Sequence, residues 1–189
     1  SRDWSSDVCS SDLDEPSTAL DVTLQAQLLD LLRELQQARG MAMLLITHDL
    51  GVVAQMAHRV ALMYAGQIVE VATREAFFST PHHPYARQLF AALPTLDKRG
   101  RDLRVISGQV PSLDQPFVGC RFAERCAWKQ ASCLAIAPPL REVEQARWVR
   151  CVLDAVPEDP PEESDLALLN ASTDRPTRAA TPLVKVRDL

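Results

Sequence analysis

Residues 41–46, Met41-Ala42-Met43-Leu44-Leu45-Ile46, form an unbroken apolar run, and the polar Thr47-His48-Asp49 closes it. A run of strand length without alternation is the pattern of a parallel strand covered on both faces. The stretch before it has another period. Leu24, Leu28, Leu31, Leu32 and Leu35 recur at helical spacing, with Asp21 at the N-cap position and Gly40 at the stop. A helix is therefore predicted over residues 22–38. A capped helix leading into a buried strand belongs to an α/β fold. In open α/β sheets ligands bind at the C-terminal edge of the strands, and that edge is where the run delivers His48.

Further along, a short helix is expected over residues 52–57. Two strands follow, over 59–64 and 67–71, about an Ala65-Gly66 turn. Short helices are expected over 74–79 and 84–93, the second opened by Pro84 in its first turn. Beyond Pro94 the pattern weakens. Residues 94–155 carry four cysteines, several prolines and little periodicity, and a segment of that kind calls for a staple. Residues 156–181 are rich in Pro, Glu and Asp and read as a flexible linker. Residues 182–189 alternate like the opening of a new strand. At the other end, residues 1–13 (SRDWSSDVCSSDL) are Ser/Asp-rich with neither helical nor strand period. They are read as foreign or disordered and set outside the fold, Cys9 with them.

No apolar run approaches the roughly 20 residues that cross a bilayer, and no basic start followed by an apolar core opens the chain. The expectation is a cytoplasmic protein that meets a membrane through a partner. The formal net charge of −5 is not the basic balance of a nucleic-acid binder, so no nucleic-acid partner is expected. Cys120, Cys126, Cys133 and Cys151 are spaced C-x5-C-x6-C-x17-C, which is not the paired spacing of a zinc finger. Four thiolates in a helix-poor segment can hold zinc or an iron–sulfur cluster. The plain alternative is four buried free thiols. Trp128 and Trp148 read as core residues.

Asp14-Glu15 precedes the capped helix. ATP hydrolysis needs a magnesium ion on the phosphates and a positioned water. One carboxylate at a strand end can hold the metal, and a neighbouring one can polarise the water. The dipeptide by itself is usually a solvated turn. Its context, a loop, a capped helix and then a strand ending in His48, brings carboxylates and imidazole to one rim.

In that context Asp14-Glu15-Pro16-Ser17-Thr18-Ala19-Leu20-Asp21 resembles the end of the Walker B motif and the D-loop of ABC transporter ATPases. Ile46-Thr47-His48-Asp49-Leu50 resembles their H-loop. The resemblance implies that Asp14 coordinates magnesium and that Glu15 is the general base. It also implies that Asp21 contacts the partner ATPase across a dimer and that His48 contacts the γ-phosphate. His83-Pro84-Tyr85 resembles the HPY segment that opens the C-terminal extension of oligopeptide, dipeptide and nickel importer ATPases. Gly108-Gln109-Val110-Pro111-Ser112-Leu113 and Gly119-Cys120-Arg121-Phe122-Ala123-Glu124-Arg125-Cys126 resemble that extension too. Cys133 and Cys151 complete its cysteine pattern, on which some members carry a four-iron four-sulfur cluster. The sequence departs from the family in three respects. Residues 10–13 are not an apolar Walker B strand. The motif G-x-x-x-x-G-K-S/T does not occur. Neither the Q-loop glutamine nor LSGGQ is found.

The fold class implied is the C-terminal part of a P-loop ABC ATPase domain over residues 14–93, followed by a Cys-rich extension over 94–155. Residues 156–181 would link it to a second ATPase domain that opens at 182–189. The activity implied is that of the ATP-hydrolysing subunit of a peptide-class importer, using ATP and Mg²⁺, and inactive as this fragment alone. Its implied partners are a second ATPase domain or subunit, transmembrane permease subunits and, indirectly, a solute-binding protein. Its implied place is the cytoplasmic face of the bacterial inner membrane. The alternative is a non-catalytic interaction or redox-sensing module built on a Cys-ligated metal or iron–sulfur centre.

Overall fold

The computed structural model describes residues 10–93, 105–114, 116–154 and 156. The described residues open with β1 (Ser10–Asp14), followed by α1 (Val22–Arg39), β2 (Ala42–Ile46) and α2 (Leu50–Met56). Next come β3 (Arg59–Tyr64), β4 (Gln67–Thr73), α3 (Arg74–Ser79) and α4 (Pro84–Ala92). Among the described residues a 3-10 turn (Ala123–Arg125), α5 (Ala131–Ala135), β5 (Arg141–Glu144) and β6 (Arg147–Val149) follow.

β1 and β2 pair in parallel, with Asp14 opposite Ile46. The connecting helix α1 is stopped at both ends as its sequence dictates. The Asp21 carboxylate accepts from the Thr23 and Leu24 amides, and Gly40 takes the left-handed conformation at φ 59° that ends the helix. Leu29 of α1 packs with Val52 and Met56 of α2 over Met43 and Leu45 of β2. That covers one face of β2. The other face is open, with Leu44 57% and Ile46 52% exposed. The expectation of a strand covered on both faces is thus corrected: the apolar run is continuous, but only one helical layer lies on it.

A second correction concerns the N-terminus. Residues 10–13 were set outside the fold, yet they form β1 with Asp14. A parallel ladder needs only backbone groups, so a polar sequence can pair with β2 where its side chains stay partly in water, and Asp12 and Asp14 are exposed.

The other sheet is antiparallel, in the order β3-β4-β6-β5. The β3-β4 hairpin turns at Ala65-Gly66 as expected. Strands β5 and β6 were not expected at all. They add to β4, with Glu70 opposite Val149 and Val71 opposite Trp148. The Arg150 amide continues the contact to the Val69 carbonyl at 2.8 Å. The cysteine-bearing residues therefore do not form a unit apart from the hairpin. They close back on it and extend its sheet.

Two apolar clusters hold this half. Phe77 and Ala86 pack with Val60 and Ala72, and the Phe77, Phe78 and Phe90 rings meet at centroid distances of 5.3 to 5.5 Å. Tyr64, Val69 and Phe122 form the other, against Tyr85, Cys120 and Cys126. Burying an aromatic side chain such as Phe77 or Phe122 contributes about 1.5–3 kcal/mol. No helix among the described residues is long and apolar enough to cross a membrane. Of the expected linker only Val156 is described, and it is buried; the rest of the linker, the second-domain strand and Cys9 lie outside the described residues.

Candidate functional site

The C-terminal ends of β1 and β2 lie side by side, and the chain leaves both through polar residues. From β1, Glu15 follows directly. Its amide still donates to the Ile46 carbonyl at 2.9 Å, so it sits as an extra rung of the ladder. Its φ of 46° is left-handed, a conformation that costs a non-glycine residue of order 1–3 kcal/mol and turns the side chain off the strand line. The turn that follows is short: the Thr18 amide returns to the Glu15 carbonyl at 3.1 Å.

From β2 comes His48. One Glu15 oxygen, Oε1, stands 2.7 Å from His48 Nδ1 and also accepts the His48 amide at 3.1 Å. The other oxygen, Oε2, accepts the Thr18 hydroxyl at 3.0 Å. The carboxylate is thus held on three sides by groups from two strand ends. The hydrogen bond to His48 is the main reason the Glu15 carboxyl lies below its ordinary pKa, and the same bond is the main reason the imidazole lies above its own. His48 remains 84% exposed, so its outer edge faces solvent.

Asp14 is exposed at the end of β1, next to the pair. Mg²⁺ is typically held by one or two carboxylates together with substrate phosphates, and Asp14 fits that requirement. Asp21 lies at the far end of the same loop, where one oxygen caps α1. Of the sequence candidates, Glu15 and His48 are in direct contact, Asp14 is adjacent in the chain, and Asp21 caps α1 with one oxygen.

The second constellation lies in the other half. Cys120, Cys126, Cys133 and Cys151 line one small cavity, together with His83, Phe122, Trp128 and Pro138. Backbone close packing brings the first and third together: the Cys120 amide donates to the Cys133 carbonyl at 2.7 Å. Gly119 permits this, because a Cβ there would run into the carbonyls of Cys133 and Leu134. Burial pushes the Cys126 thiol up to about 12, and burial also raises Cys120 and Cys151. Neighbouring thiols add to the rise at Cys120, Cys126 and Cys151. Among the described residues, no three His, Cys, Asp or Glu side chains stand at the distances that hold a single metal ion. That spacing favours neither zinc nor an iron–sulfur cluster over four free thiols. The nearby arginines act on backbone: Arg121 donates to the Ala65 carbonyl, Arg125 to Ser107 and Ile106, and Arg150 to Ile68 and Pro138.

Sequence reading missed Glu70. It is fully buried on β4, and its carboxylate accepts the His82 amide at 3.1 Å and the His83 amide at 2.7 Å. The signal was present: Glu70 is the lone charge in an apolar strand, Ile68-Val69-Glu70-Val71-Ala72. It fixes the entry to α4, where His83 Nδ1 accepts the Tyr85 amide at 3.1 Å as N-cap. Burial drives His83 down to about 4, partly offset by a hydrogen bond with the Arg150 backbone. His83 thus joins the hairpin, α4 and the cysteine cavity.

The class of protein comes from comparisons with known proteins. Residues 69–133 match the family described as Oligopeptide/dipeptide transporter, C-terminal region. The dipeptide transport ATP-binding protein DppD of Bacillus subtilis is 45% identical over 149 residues, 77% of this chain and 44% of that one. The oligopeptide transport ATP-binding protein AppD of the same organism is 47% identical over 140 residues, 74% of this chain and 43% of that one. The chain belongs to the ATP-binding subunits of peptide-class ABC importers. It spans less than half the length of the relatives it matches.

Proposed function

We propose that this chain carries the hydrolytic end of an ATP-binding subunit that powers uptake of peptides or related solutes. The observation that carries the reading is the Glu15–His48 pair at the joined ends of two parallel strands. Glu15 is the general base for the attacking water. His48 holds it in the resting state through the shared hydrogen bond, which lowers the carboxylate's basicity. When His48 turns its exposed ring toward a γ-phosphate, Glu15 regains its ordinary basicity. Asp14 would hold Mg²⁺, which neutralises developing phosphate charge when bound. Asp21, with one oxygen on the α1 cap, offers the other to a partner ATPase domain. The subunit works peripherally at the cytoplasmic face of the inner membrane against permease subunits, and a solute-binding protein delivers the cargo.

The test is Glu15→Gln in the complete subunit. ATP affinity should stay within a few-fold of wild type while turnover falls by at least 10²-fold, since loss of a general base costs the transition state rather than the ground state. Wild-type turnover in that variant would remove Glu15 from the role.

The four thiols carry a structural reading. They suit a four-iron four-sulfur cluster by residue type and by lining one cavity. Ligation would supply folding energy to a segment with few periodic apolar residues. Anaerobically purified protein should be brown and bleach with dithionite. A colourless, iron-free protein whose Tm is unmoved by Cys126→Ser would leave four buried free thiols.

A further inference from the structure

We infer that Gln25 is a positioning residue that locks the His48 corner to α1 through Asp49. The inference rests on reading Glu15 and His48 as the hydrolytic pair. Asp49 directly follows His48 and caps α2: its Oδ1 accepts the Gly51 amide at 2.7 Å and the Val52 amide at 3.3 Å. Its Oδ2 points the other way and accepts the Gln25 side-chain amide at 3.3 Å. Because a carboxylate only accepts, the Gln25 amide orientation is settled: its nitrogen faces Asp49. The Asp49 amide in turn donates to the Thr47 hydroxyl at 3.1 Å. The Thr47-His48-Asp49 corner is therefore tied to β2, to α2 and, by Gln25 alone among these contacts, to α1.

The tie closes a ring. Gln25 is hydrogen-bonded through its amide to the Asp21 carbonyl at 2.9 Å, so it sits in the first turn after the loop that carries Thr18. Thr18 holds one Glu15 oxygen and His48 holds the other. Movement of the loop relative to His48 strains either the Glu15 contacts or the Gln25–Asp49 bond. Without Gln25, apolar packing of α1 on α2 remains, but the side-chain hydrogen bonds between the loop and the His48 corner run only through Glu15, and the pair loses part of its fixed geometry.

The experiment is hydrogen exchange at single amides in the 189-residue chain, with no nucleotide. The reporter is the His48 amide, which donates to Glu15 at 3.1 Å. Gln25→Met keeps size and helix propensity but removes the donor. It should speed His48 exchange on the order of 5- to 10-fold, the value of one net hydrogen bond, with the body of α1 unchanged. Gln25→Lys, which restores a donor of sufficient reach, should recover slow exchange. Gln27→Met, a neighbouring exposed glutamine of α1, should leave His48 at the wild-type rate. Equal His48 exchange in the Gln25→Met and Gln27→Met chains overturns the inference. So does acceleration spread along all of α1, which would make Gln25 a helix residue only. Failure of Glu15→Gln to stop turnover is a separate result, because this measurement needs no hydrolysis.

Discussion

At the scale of single residues, the buried polar groups set the chemistry of the HPY corner. Glu70 is spent on the His82 and His83 amides. Arg147, 2% exposed, reaches the Ala76 carbonyl at 2.7 Å. His83 is neutral by burial, and this has a pH consequence. Its pKa falls from 6.5 in the unfolded chain to about 4 in the folded one. Between those values the unfolded state binds more protons. The contribution of His83 is therefore complete above pH 6.5 and is lost as pH drops toward 4, at a slope approaching about 1.4 kcal/mol per pH unit. Glu70 acts in the opposite sense, because burial raises its pKa. As pH falls through that raised value the folded state takes up a proton first, which offsets part of the loss. Urea titrations across pH 7 to 4 should show stability falling with acid. His83→Asn, which keeps a capping acceptor but does not titrate, should flatten the slope. An unchanged slope would place the acid sensitivity elsewhere.

At the scale of elements, capping does most of the local specification. Asp21, Asp49, Thr73 and His83 each hold a helix start with a side-chain acceptor. The α1 cap is the case where structure and proposed function share a residue. Asp21→Ala should cost about 1 kcal/mol and Asp21→Asn much less, both read from the urea midpoint. If Asp21 also meets a partner domain, Asp21→Asn should lower turnover of the complete subunit without that stability loss. Equal stability of the two variants would mean the cap contributes nothing. The β5-β6 hairpin shows the limit of local signals. Its strands are four and three residues long, and the turn uses Ala146 at a φ of 61° rather than a glycine. Nothing in a two-residue window announces it; its edge toward β4 is what keeps it in place.

At the scale of the whole molecule, the described residues hold two small sheets and an open apolar face on β2. The phosphate-cradling loop and signature of the family do not occur in the sequence, so on the proposed reading Glu15 and His48 lack the family's groups that hold a triphosphate. Residues 14–189 given Mg²⁺ and ATP should show neither tight binding by calorimetry nor steady phosphate release. Turnover that disappears in His48→Ala would reveal a nucleotide site formed without those elements. Leu44 and Ile46 should also bind an apolar fluorescent dye, since exposed aliphatic side chains on a strand leave a sticky surface.

Residues 22–93 were legible because their signals are local. Helical period, cap residues, a turn dipeptide and a proline at a first turn act within a few residues of where they are read, and α1 and α3 follow them closely. His48 could be nominated from sequence because it closes an apolar strand, and Glu15 because the Asp14-Glu15 pair precedes a capped helix and resembles the end of a Walker B motif. Their 2.7 Å contact could not, since 33 residues separate them and only the parallel register of β1 and β2 brings them together. The same holds for the four thiols, whose common cavity depends on Gly119 letting two backbones touch. It holds for β1, whose polar residues pair through backbone groups that carry no side-chain signature. Sequence by itself determined the caps, the periods and the chemical types available. Tertiary structure decided which of those groups meet, because hydrogen-bond register and backbone close approach are properties of two segments at once.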